Sequence, residues 1–354
     1  MAPAGQPPFQ ERRKSARNTI RVVAIGGGTG LSTLLKGLKQ FVFSPNAALR
    51  AHPPEFVISD LCAVVTVTDD GGSSGRLRKE LNMLPPGDIR NCIVALSEDE
   101  ALLSQLFRHR FQKGSGLEGH SFGNLFLAAL TSITNDFGEA VRLSSEILAT
   151  RGHIYPATTA NVELEACMED GTRVRGETKI TASKVRIQEL FMVPADPKPL
   201  PETLDAIARA DLITIGPGSL FTSLIPNLLV HGISKAIAAS AAIKVYVCNL
   251  MTQANESLGR TAADHIRALD RHAGTKIFDY ALLNERPVSP ELKAKYALEG
   301  AAQVVVDRDA IEALGVKPVL GDYLDEAEVA RHATDRIARD LMMLASRRSV
   351  SKQP

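Results

Sequence analysis

The sequence predicts an α/β fold with a doubly wound, mainly parallel sheet and a small antiparallel β subdomain. The first observation is that short β-branched runs, such as Ile20 to Ile25, alternate along the chain with amphipathic segments of helical length. The second is that two of these runs, ending at Ile25 and Ile215, lead directly into glycine-rich loops. The third is a stretch from Asn161 to Val193 in which apolar and charged residues alternate, as is typical of antiparallel strands.

The composition limits the class of protein. The chain has 354 residues and a formal net charge of +1, which argues against a dedicated nucleic-acid-binding protein. Its 4 cysteines form no CxxC pair, as is typical of free thiols in a reducing compartment. Its 8 histidines lack the spacing of metal ligands. No apolar run is long enough to span a bilayer. We therefore expect a cytoplasmic protein with no nucleic-acid partner and no membrane span, and the sequence leaves homo-oligomerisation open.

The predicted organisation has three parts. Residues 1–19 are basic but lack the apolar segment of a signal peptide, so we predict a disordered leader. Residues 20–346 form one α/β domain that includes the β subdomain at about 161–193, and residues 347–354 form a polar tail. Phe43 to Ser59 contains prolines and is predicted to be a surface connection.

The first glycine-rich loop predicts a site for phosphate or another anion. It follows the strand Ile20 to Ile25, precedes a helix from Leu31 to about Phe41, and consists of Gly26, Gly27, Gly28, Thr29 and Gly30. A strand, a glycine loop and a helix direct free backbone N–H groups and the helix dipole at an anion. The dinucleotide-binding spacing would require glycine at the position of Leu31, and no Walker A lysine follows.

A second loop, Thr66 to Arg78, follows the buried strand Cys62 to Val65. Its two carboxylates, Asp69 and Asp70, can bind ribose hydroxyls or a divalent cation such as Mg²⁺. Its hydroxyl and guanidinium groups can bind phosphate, and they belong to Ser73, Ser74, Arg76 and Arg78. The alternative is a solvated surface turn, because Asp, Gly and Ser are also turn residues.

Two further polar segments open predicted helices. Asp88 is predicted to be the N-cap of a helix that runs to about Leu96, with Arg90 and Asn91 in its first turn, where they can bind a ligand or simply cap. All three are ligand-binding candidates. His120 and Asn124 are flanked by glycines just before a helix from Leu125 to Ile133, and we treat both as ligand-binding candidates, although a lone histidine is more often structural. Helices are also predicted at Ala101 to Phe111 and Phe137 to Leu148.

The second half of the chain repeats the pattern. A hairpin turn at Glu169 to Thr172 and a strand-like stretch from Val174 to Ile187 complete the β subdomain. The predicted strand Asp211 to Ile215 leads into a loop whose candidate residues are Gly216, Pro217, Gly218, Ser219, Thr222 and Ser223. The strand Ile243 to Cys248 leads into the candidates Asn249 and Thr252. Other predicted helices are Glu202 to Ala210, Thr261 to Ala273 and Asp325 to Ser346, and other predicted strands are Tyr280 to Leu283, Gln303 to Val306 and Lys317 to Leu320.

Because ligands of doubly wound sheets bind beyond the carboxyl ends of the strands, these polar loops are expected to converge on one crevice. The order and the residues of these motifs resemble those of the gluconeogenesis factor family, the YvcK-like proteins. The matching segments are GGGTG, TDDGGSSGRLR, PPGDIRN, GHSFGN, IGPGSLFTS with PNLL, and YVCNLMTQ, between Val22 and about His265. That family is related to 2-phospho-L-lactate transferase (CofD), which has a Rossmann-like fold.

The resemblance implies a binder of the nucleotide sugar UDP-N-acetylglucosamine, needed for cell shape and wall synthesis on gluconeogenic carbon sources. It implies regulatory protein partners, which the sequence leaves unidentified, and no required cofactor. The alternative is a phosphoryl- or nucleotidyl-group transferase of the CofD type, with Asp69, Asp70 and His120 as the catalytic candidates and Mg²⁺ held by Asp69 and Asp70. An NAD-dependent oxidoreductase is the weakest alternative, because the glycine spacing does not match.

Overall fold

The computed structural model describes residues 19–43, 56–98, 102–254 and 256–351. Its strands are β1 (Thr19–Gly26), β2 (Val57–Val65), β3 (His153–Pro156), β4 (Glu163–Met168), β5 (Arg173–Arg175), β6 (Ile187–Val193), β7 (Leu212–Ile215), β8 (Ile243–Val247), β9 (Tyr280–Asn284), β10 (Lys317–Gly321), β11 (Leu324–Glu326) and β12 (Ala330–His332).

The described helices surround these strands. They are α1 (Gly28–Lys39), α2 (Gly72–Leu81), α3 (Gly87–Leu96), α4 (Leu102–Arg108), α5 (Phe122–Thr134), α6 (Phe137–Ile147), α7 (Glu177–Ala182), α8 (Pro201–Arg209), α9 (Ile225–Leu228), α10 (Ile233–Ala239), α11 (Ala262–Ala273), α12 (Pro290–Ala297), α13 (Arg308–Ala313) and α14 (Thr334–Ser351). A π-helical turn, Leu220–Leu224, precedes α9.

The main sheet has seven strands in the order β10-β9-β8-β7-β1-β2-β3, and every neighbouring pair is parallel. Strands β1 to β3 extend to one side of the sheet, whereas β7 to β10 extend to the other, so the direction of winding reverses between β1 and β7. In such a sheet the loops after these two strands diverge and leave a crevice. The predicted doubly wound α/β fold is confirmed.

The core of the sheet explains why the β-branched runs were recognisable in the sequence. Residues Val22 to Ile25 of β1 and all four residues of β7 are buried, since helices cover both faces of a parallel sheet. Strand β3, at the edge of the sheet, was not predicted. It is only four residues long and includes a proline, so it carries little of the pattern of a strand.

The antiparallel β subdomain is a three-stranded sheet in the order β5-β4-β6. Leu164, Ala166 and Met168 of β4 are buried, and the alternate residues lie on an outer face where Arg173 pairs with Glu165 at 2.6 Å. The strand-like assignment of Val174 to Ile187 was wrong for its central part, because α7 occupies Glu177–Ala182. Burial of Ile180 within the subdomain stabilises this short helix despite its β-prone threonines.

The carboxyl-terminal region also differs from the prediction. The helix predicted from Asp325 is replaced by the hairpin of β11 and β12, and α14 begins only at Thr334. The His332 ring lies 3.0 Å from the Cys248 carbonyl oxygen, a tertiary contact that the local pattern does not encode. Gln303 makes a single bridge to Met251 instead of starting a strand, and residues 347–351, predicted as tail, continue α14.

Several other boundaries differ. Helix α1 begins at Gly28 and not at Leu31, and α2 converts the second half of the Thr66 to Arg78 loop into a helix. The predicted leader, except Thr19, and most of the predicted surface connection lie outside the described residues, as does Ala101. Among the described residues no single helix has the length and apolar character to cross a membrane, although one sharply bent pair, Leu220–Leu228 with Ile233–Ala239, meets those two criteria.

Candidate functional site

A cavity of about 580 Å³ lies at the point where the winding of the sheet reverses, beyond the carboxyl ends of β1, β7 and β8. The two glycine-rich loops form one side, and the segment after β8 forms another. Its lining includes ten predicted candidates: Gly27, Gly28, Thr29, Gly30, Pro217, Gly218, Ser219, Ser223, Asn249 and Thr252. It also includes residues that were not predicted, among them Gln253, Tyr296, Glu299 and His332.

The first glycine loop brings backbone N–H groups to the cavity. No N-cap side chain stands at the start of α1, since Gly27 has none. The Gly28 N–H bonds the Asp88 carboxyl group, and the N–H groups of Thr29 and Gly30 can bind a ligand. A Cβ atom on Gly30 would lie 2.3 Å from the carbonyl oxygen of Pro217, and one on Gly27 would lie 2.5 Å from Thr66. Glycine is therefore required here for the close approach of the two loops as well as for access to a ligand.

The second glycine loop is held by the segment that follows β8. The Asn249 side chain accepts a hydrogen bond from the Gly218 N–H at 3.2 Å and donates one to the Gly218 carbonyl at 2.9 Å. Gln253 donates to the Ser219 hydroxyl at 3.0 Å. Asn249 thus lines the cavity while its amide group orients the loop, a role that the sequence did not reveal.

A buried carboxylate completes this support. Glu256, only 5% exposed, accepts hydrogen bonds from the Thr222 hydroxyl at 2.7 Å and from the Phe221 N–H at 3.2 Å. Burial raises the pKa of Glu256 above its ordinary value. The predicted candidate Thr222 is therefore 3% exposed and supports the loop from below, and Glu256 was missed because a glutamate after a polar segment gives no distinctive pattern.

On the other side of the first glycine loop lies a group of carboxylates. Asp69 accepts a hydrogen bond from the Gly71 N–H at 2.9 Å, and Asp70 accepts one from the Thr178 N–H at 2.9 Å. Burial, reinforced by the charge of Asp69, raises the pKa of Asp88 to about 7. The same two causes raise the pKa of Glu177 to about 9. This group joins the loop after β2 to the β subdomain.

The assignment of Asp88 as an N-cap was wrong. Helix α3 begins at Gly87, its N-cap is Pro86, and no side chain caps it. Asp88 lies in the first turn and accepts a hydrogen bond from the backbone N–H of Gly28. The carboxyl group thus links α3 to the first glycine loop, a contact between segments that are distant in sequence. Arg90 and Asn91 follow in α3, where the Arg90 guanidinium donates a hydrogen bond to Asn91 Oδ1 at 2.7 Å.

A polar network lies beside these carboxylates. The Ser73 hydroxyl lies 2.9 Å from His120 Nδ1 and accepts a hydrogen bond from the Asn124 amide at 3.1 Å. Burial and the neighbouring Arg76 lower the pKa of His120, which keeps the ring neutral. Ser74 is buried against Gly87, and Arg78 bonds Asn161 instead of facing the crevice. Gly26 is the last residue of β1, and Gly216 directly follows β7.

The candidate Mg²⁺ ligands are Asp69 and Asp70. Among the residues described by the structure, no group of three or more His, Cys, Asp or Glu side chains is placed to hold a metal ion. Asp69 and Asp70 each use one oxygen for a backbone N–H group of the protein. These two carboxylates would need water or ligand oxygens to complete the coordination of a hard cation.

Comparison with known proteins places this chain in a family. The model of the 2-phospho-L-lactate transferase CofD family matches residues 22–324. The chain is 49% identical over 334 residues to the gluconeogenesis factor of Halalkalibacterium halodurans, covering 94% of this chain and 98% of that relative. The chain belongs to the CofD-related gluconeogenesis factor family. The gluconeogenesis factor of Bacillus subtilis is 47% identical, over 92% of this chain and 98% of its own length.

The family assignment extends to solved structures. A crystal structure of a UPF0052 family member from Bacillus halodurans is 48% identical and superposes with a TM-score of 0.85. The match covers 92% of this chain and 99% of that protein. The resemblance to the gluconeogenesis factor family, and the Rossmann-like architecture that it implied, are confirmed.

Proposed function

We propose that this gluconeogenesis factor relative binds a nucleotide sugar, UDP-N-acetylglucosamine, in the cavity at the reversal of the sheet. The observation that carries the proposal is that two glycine-rich loops, after β1 and β7, face the same cavity. The uncapped first turn of α1 supplies N–H groups and a positive dipole end for a diphosphate. A volume of about 580 Å³ is within the range of pockets that enclose small-molecule ligands.

Thermal unfolding tests this binding directly. A ligand at one hundred times its Kd adds about 2.7 kcal/mol to the free energy of unfolding, so UDP-N-acetylglucosamine should raise the Tm clearly. NAD serves as the comparison, because it contains a diphosphate but a different sugar and base. A shift with NAD and none with UDP-sugars would replace the proposal with the dehydrogenase alternative.

The proposed role is that of a cytoplasmic regulator, in which ligand occupancy controls partner proteins required for cell shape and wall synthesis under gluconeogenic conditions. The name of the relatives supports the link to gluconeogenesis. A strain lacking the gene should regain normal shape on gluconeogenic carbon with the wild-type gene. A folded variant that cannot bind the nucleotide sugar should fail to restore it, and restoration by that variant would contradict the regulatory role.

The second candidate function is a CofD-type transferase, and the match to the CofD family model favours it. Carboxyl groups with raised pKa values, such as Asp88, are typical of acid–base chemistry as well as of binding sites. Incubation with UDP-N-acetylglucosamine, Mg²⁺ and 2-phospholactate, followed by mass spectrometry, separates the two. Sustained turnover that is abolished in Asp70→Asn and Asp88→Asn would establish the transferase, whereas an unchanged nucleotide sugar supports the regulator.

A further inference from the structure

Three arginines lie near the segment Glu118 to Asn124 on the β2 side of the crevice. They are Arg76 of α2, Arg90 of α3 and Arg110, which follows α4. Arg76 donates to the Glu118 carbonyl oxygen at 2.6 Å, and Arg110 donates to the carbonyl oxygen of Gly119. Within the described ranges, none of the three forms an ion pair with a carboxylate.

The central arginine of this group is poorly satisfied. The Nε atom of Arg90 is buried and has no hydrogen-bond partner, and its stem is packed so closely against Gly123 that a Cβ there would lie 2.8 Å from it. Burial and the neighbouring charge of Arg110 lower the pKa of Arg90, and the charges of Asp88 and Asp69 offset this only in part. A partly buried cation that is repelled by a second cation costs free energy unless an anion neutralises it.

A second unsatisfied group lies next to Gly123 in α5. Asn124 is 2% exposed, and its amide donates to Ser73 while its Oδ1 atom is buried without a partner. If the amide is turned the other way, its nitrogen lacks a partner instead. Buried polar atoms in native proteins are almost always hydrogen-bonded. A ligand that presents an anion to the arginines and a hydrogen-bonding group to Asn124 satisfies both.

We propose that Arg76, Arg90 and Arg110, together with Asn124, bind a small anionic ligand at a second site, separated from the nucleotide-sugar cavity by the first glycine loop. The chemistry that they recognise is a phosphate or carboxylate group, since guanidinium groups bind both through paired hydrogen bonds. None of these four residues lines the cavity at the reversal of the sheet. The second site is therefore testable whether or not a nucleotide sugar binds there.

The test uses Arg110→Gln in the full chain, because Arg110 is exposed and its replacement leaves the core intact. In chloride buffer the variant should have a higher Tm than the wild type, since it removes a repulsion with Arg90 that Asp88 and Asp69 offset only in part. Inorganic phosphate should raise the Tm of the wild type and have little effect on the variant, so the order of the two should reverse. If Arg110 were merely structural, phosphate would not reverse the sign of the Tm difference between Arg110→Gln and the wild type.

Lys113→Gln is the matched control, because it removes one exposed positive charge from the same segment and should respond to phosphate like the wild type. Arg90→Lys, which keeps the charge but loses the paired donors, should weaken phosphate binding at least tenfold by calorimetry. A titration with acetate at equal ionic strength distinguishes a site for phosphate groups from one that also binds carboxylate groups. A response to phosphate alone assigns a phosphate group, and a response to both assigns a general carboxylate or phosphate site.

Phosphate can also bind at the glycine loops, so the titration is repeated with saturating UDP-N-acetylglucosamine. If the nucleotide sugar does not bind, the Gly28→Val background replaces it. Phosphate binding that persists under either condition and is lost in Arg110→Gln supports the second site. Phosphate binding that disappears when the cavity is filled, or that is equal in wild type and Arg110→Gln, overturns it.

Discussion

Gly28 has a φ of +61° at the start of α1, a conformation that side chains rarely adopt. A Cβ atom there would have space, since its nearest neighbours are the Ser223 hydroxyl at 3.7 Å and Asp88 at 3.8 Å. Backbone conformation, and not crowding within the protein, therefore selects glycine at this position. The open space in front of Gly28 belongs to the cavity that we assign to the ligand.

Gly28→Val should lower the affinity for UDP-N-acetylglucosamine about tenfold or more, because a branched side chain would occupy that space. It should also cost about 1–2 kcal/mol of stability from backbone strain. Gly171→Val is the control, because Gly171 has a φ of +83° in a remote hairpin turn with no atom near its Cβ position. Calorimetry should find weak binding only in Gly28→Val, and equal binding in both variants would mean that the first loop is purely structural.

Glu177 makes the stability of the folded protein depend on pH in a predictable direction. Its pKa is raised to about 9 in the folded protein, because burial and the nearby carboxylates disfavour the charged form. The unfolded chain loses this proton near pH 4.5, so the folded state binds more protons between about pH 4.5 and 9. The stability contributed by the protonated group is complete below that range and is lost as the pH rises through it.

Glu177→Gln should therefore be as stable as the wild type near pH 4.5 and more stable at pH 9, by about 6 kcal/mol, since each pKa unit between 4.5 and 9 contributes about 1.4 kcal/mol. Urea unfolding across this range measures the difference. Glu80→Gln, an exposed glutamate on α2, should follow the wild type throughout. A Glu177→Gln curve parallel to the wild-type curve would show that this carboxyl group is not protonated in the folded protein.

The π-helical turn and the segment after β8 form a single support for the second glycine loop. Glu256 accepts one hydrogen bond from the Phe221 N–H and one from the Thr222 hydroxyl. The Arg260 guanidinium lies 5.2 Å from the centre of the Phe221 ring. Ligand affinity should depend on this buried support as much as on the glycines.

Glu256→Ala should lower stability by about 1–3 kcal/mol, because it leaves the Phe221 N–H and the Thr222 hydroxyl buried without an acceptor. It should also weaken nucleotide-sugar binding, because the loop is no longer held. Thr222→Val, which removes only the hydroxyl, should produce a smaller change of the same sign in both measurements. Chemical unfolding and calorimetry test the two effects, and loss of stability with unchanged affinity would separate the support from the site.

Among these elements, the sequence predicted those whose signal is local. The buried runs of β1, β7, β8 and β9 are recognisable because parallel strands are apolar on both faces, and the glycine loops directly follow β1 and β7. The hairpin of β11 and β12 and the position of Asp88 depend on contacts with distant segments, so local patterns misassigned them. Glu177 and Glu256 acquire their properties only when the chain buries them.

In the molecule as a whole, two chemically different surfaces lie on opposite sides of the first glycine loop. The cavity side offers backbone N–H groups, whereas the β2 side combines the carboxylates with arginines. A diphosphate can be neutralised on the cavity side without a metal ion, because N–H groups and a helix dipole face it. The carboxylates Asp69 and Asp70 are not among the residues that line the cavity.

We therefore expect UDP-N-acetylglucosamine to bind with similar affinity in Mg²⁺ and in EDTA. Calorimetry under both conditions measures this, with Asp69→Asn as the companion variant, which should also bind similarly. An affinity that falls at least tenfold in EDTA and in Asp69→Asn would identify a cation bridging this carboxylate and the ligand.

The pairing of β1 with β7 has a consequence for the newly made chain. Arg21 and Asp211, whose side chains bond at 3.0 Å beside this pair of strands, are 190 residues apart. At a synthesis rate of roughly 5–20 residues per second, β7 follows β1 out of the ribosome after about 10–40 s. During that interval β1 can pair with β2 but keeps an open, apolar edge that other nascent chains can join. The yield of this protein should therefore depend on translation speed and on chaperones as well as on its final stability.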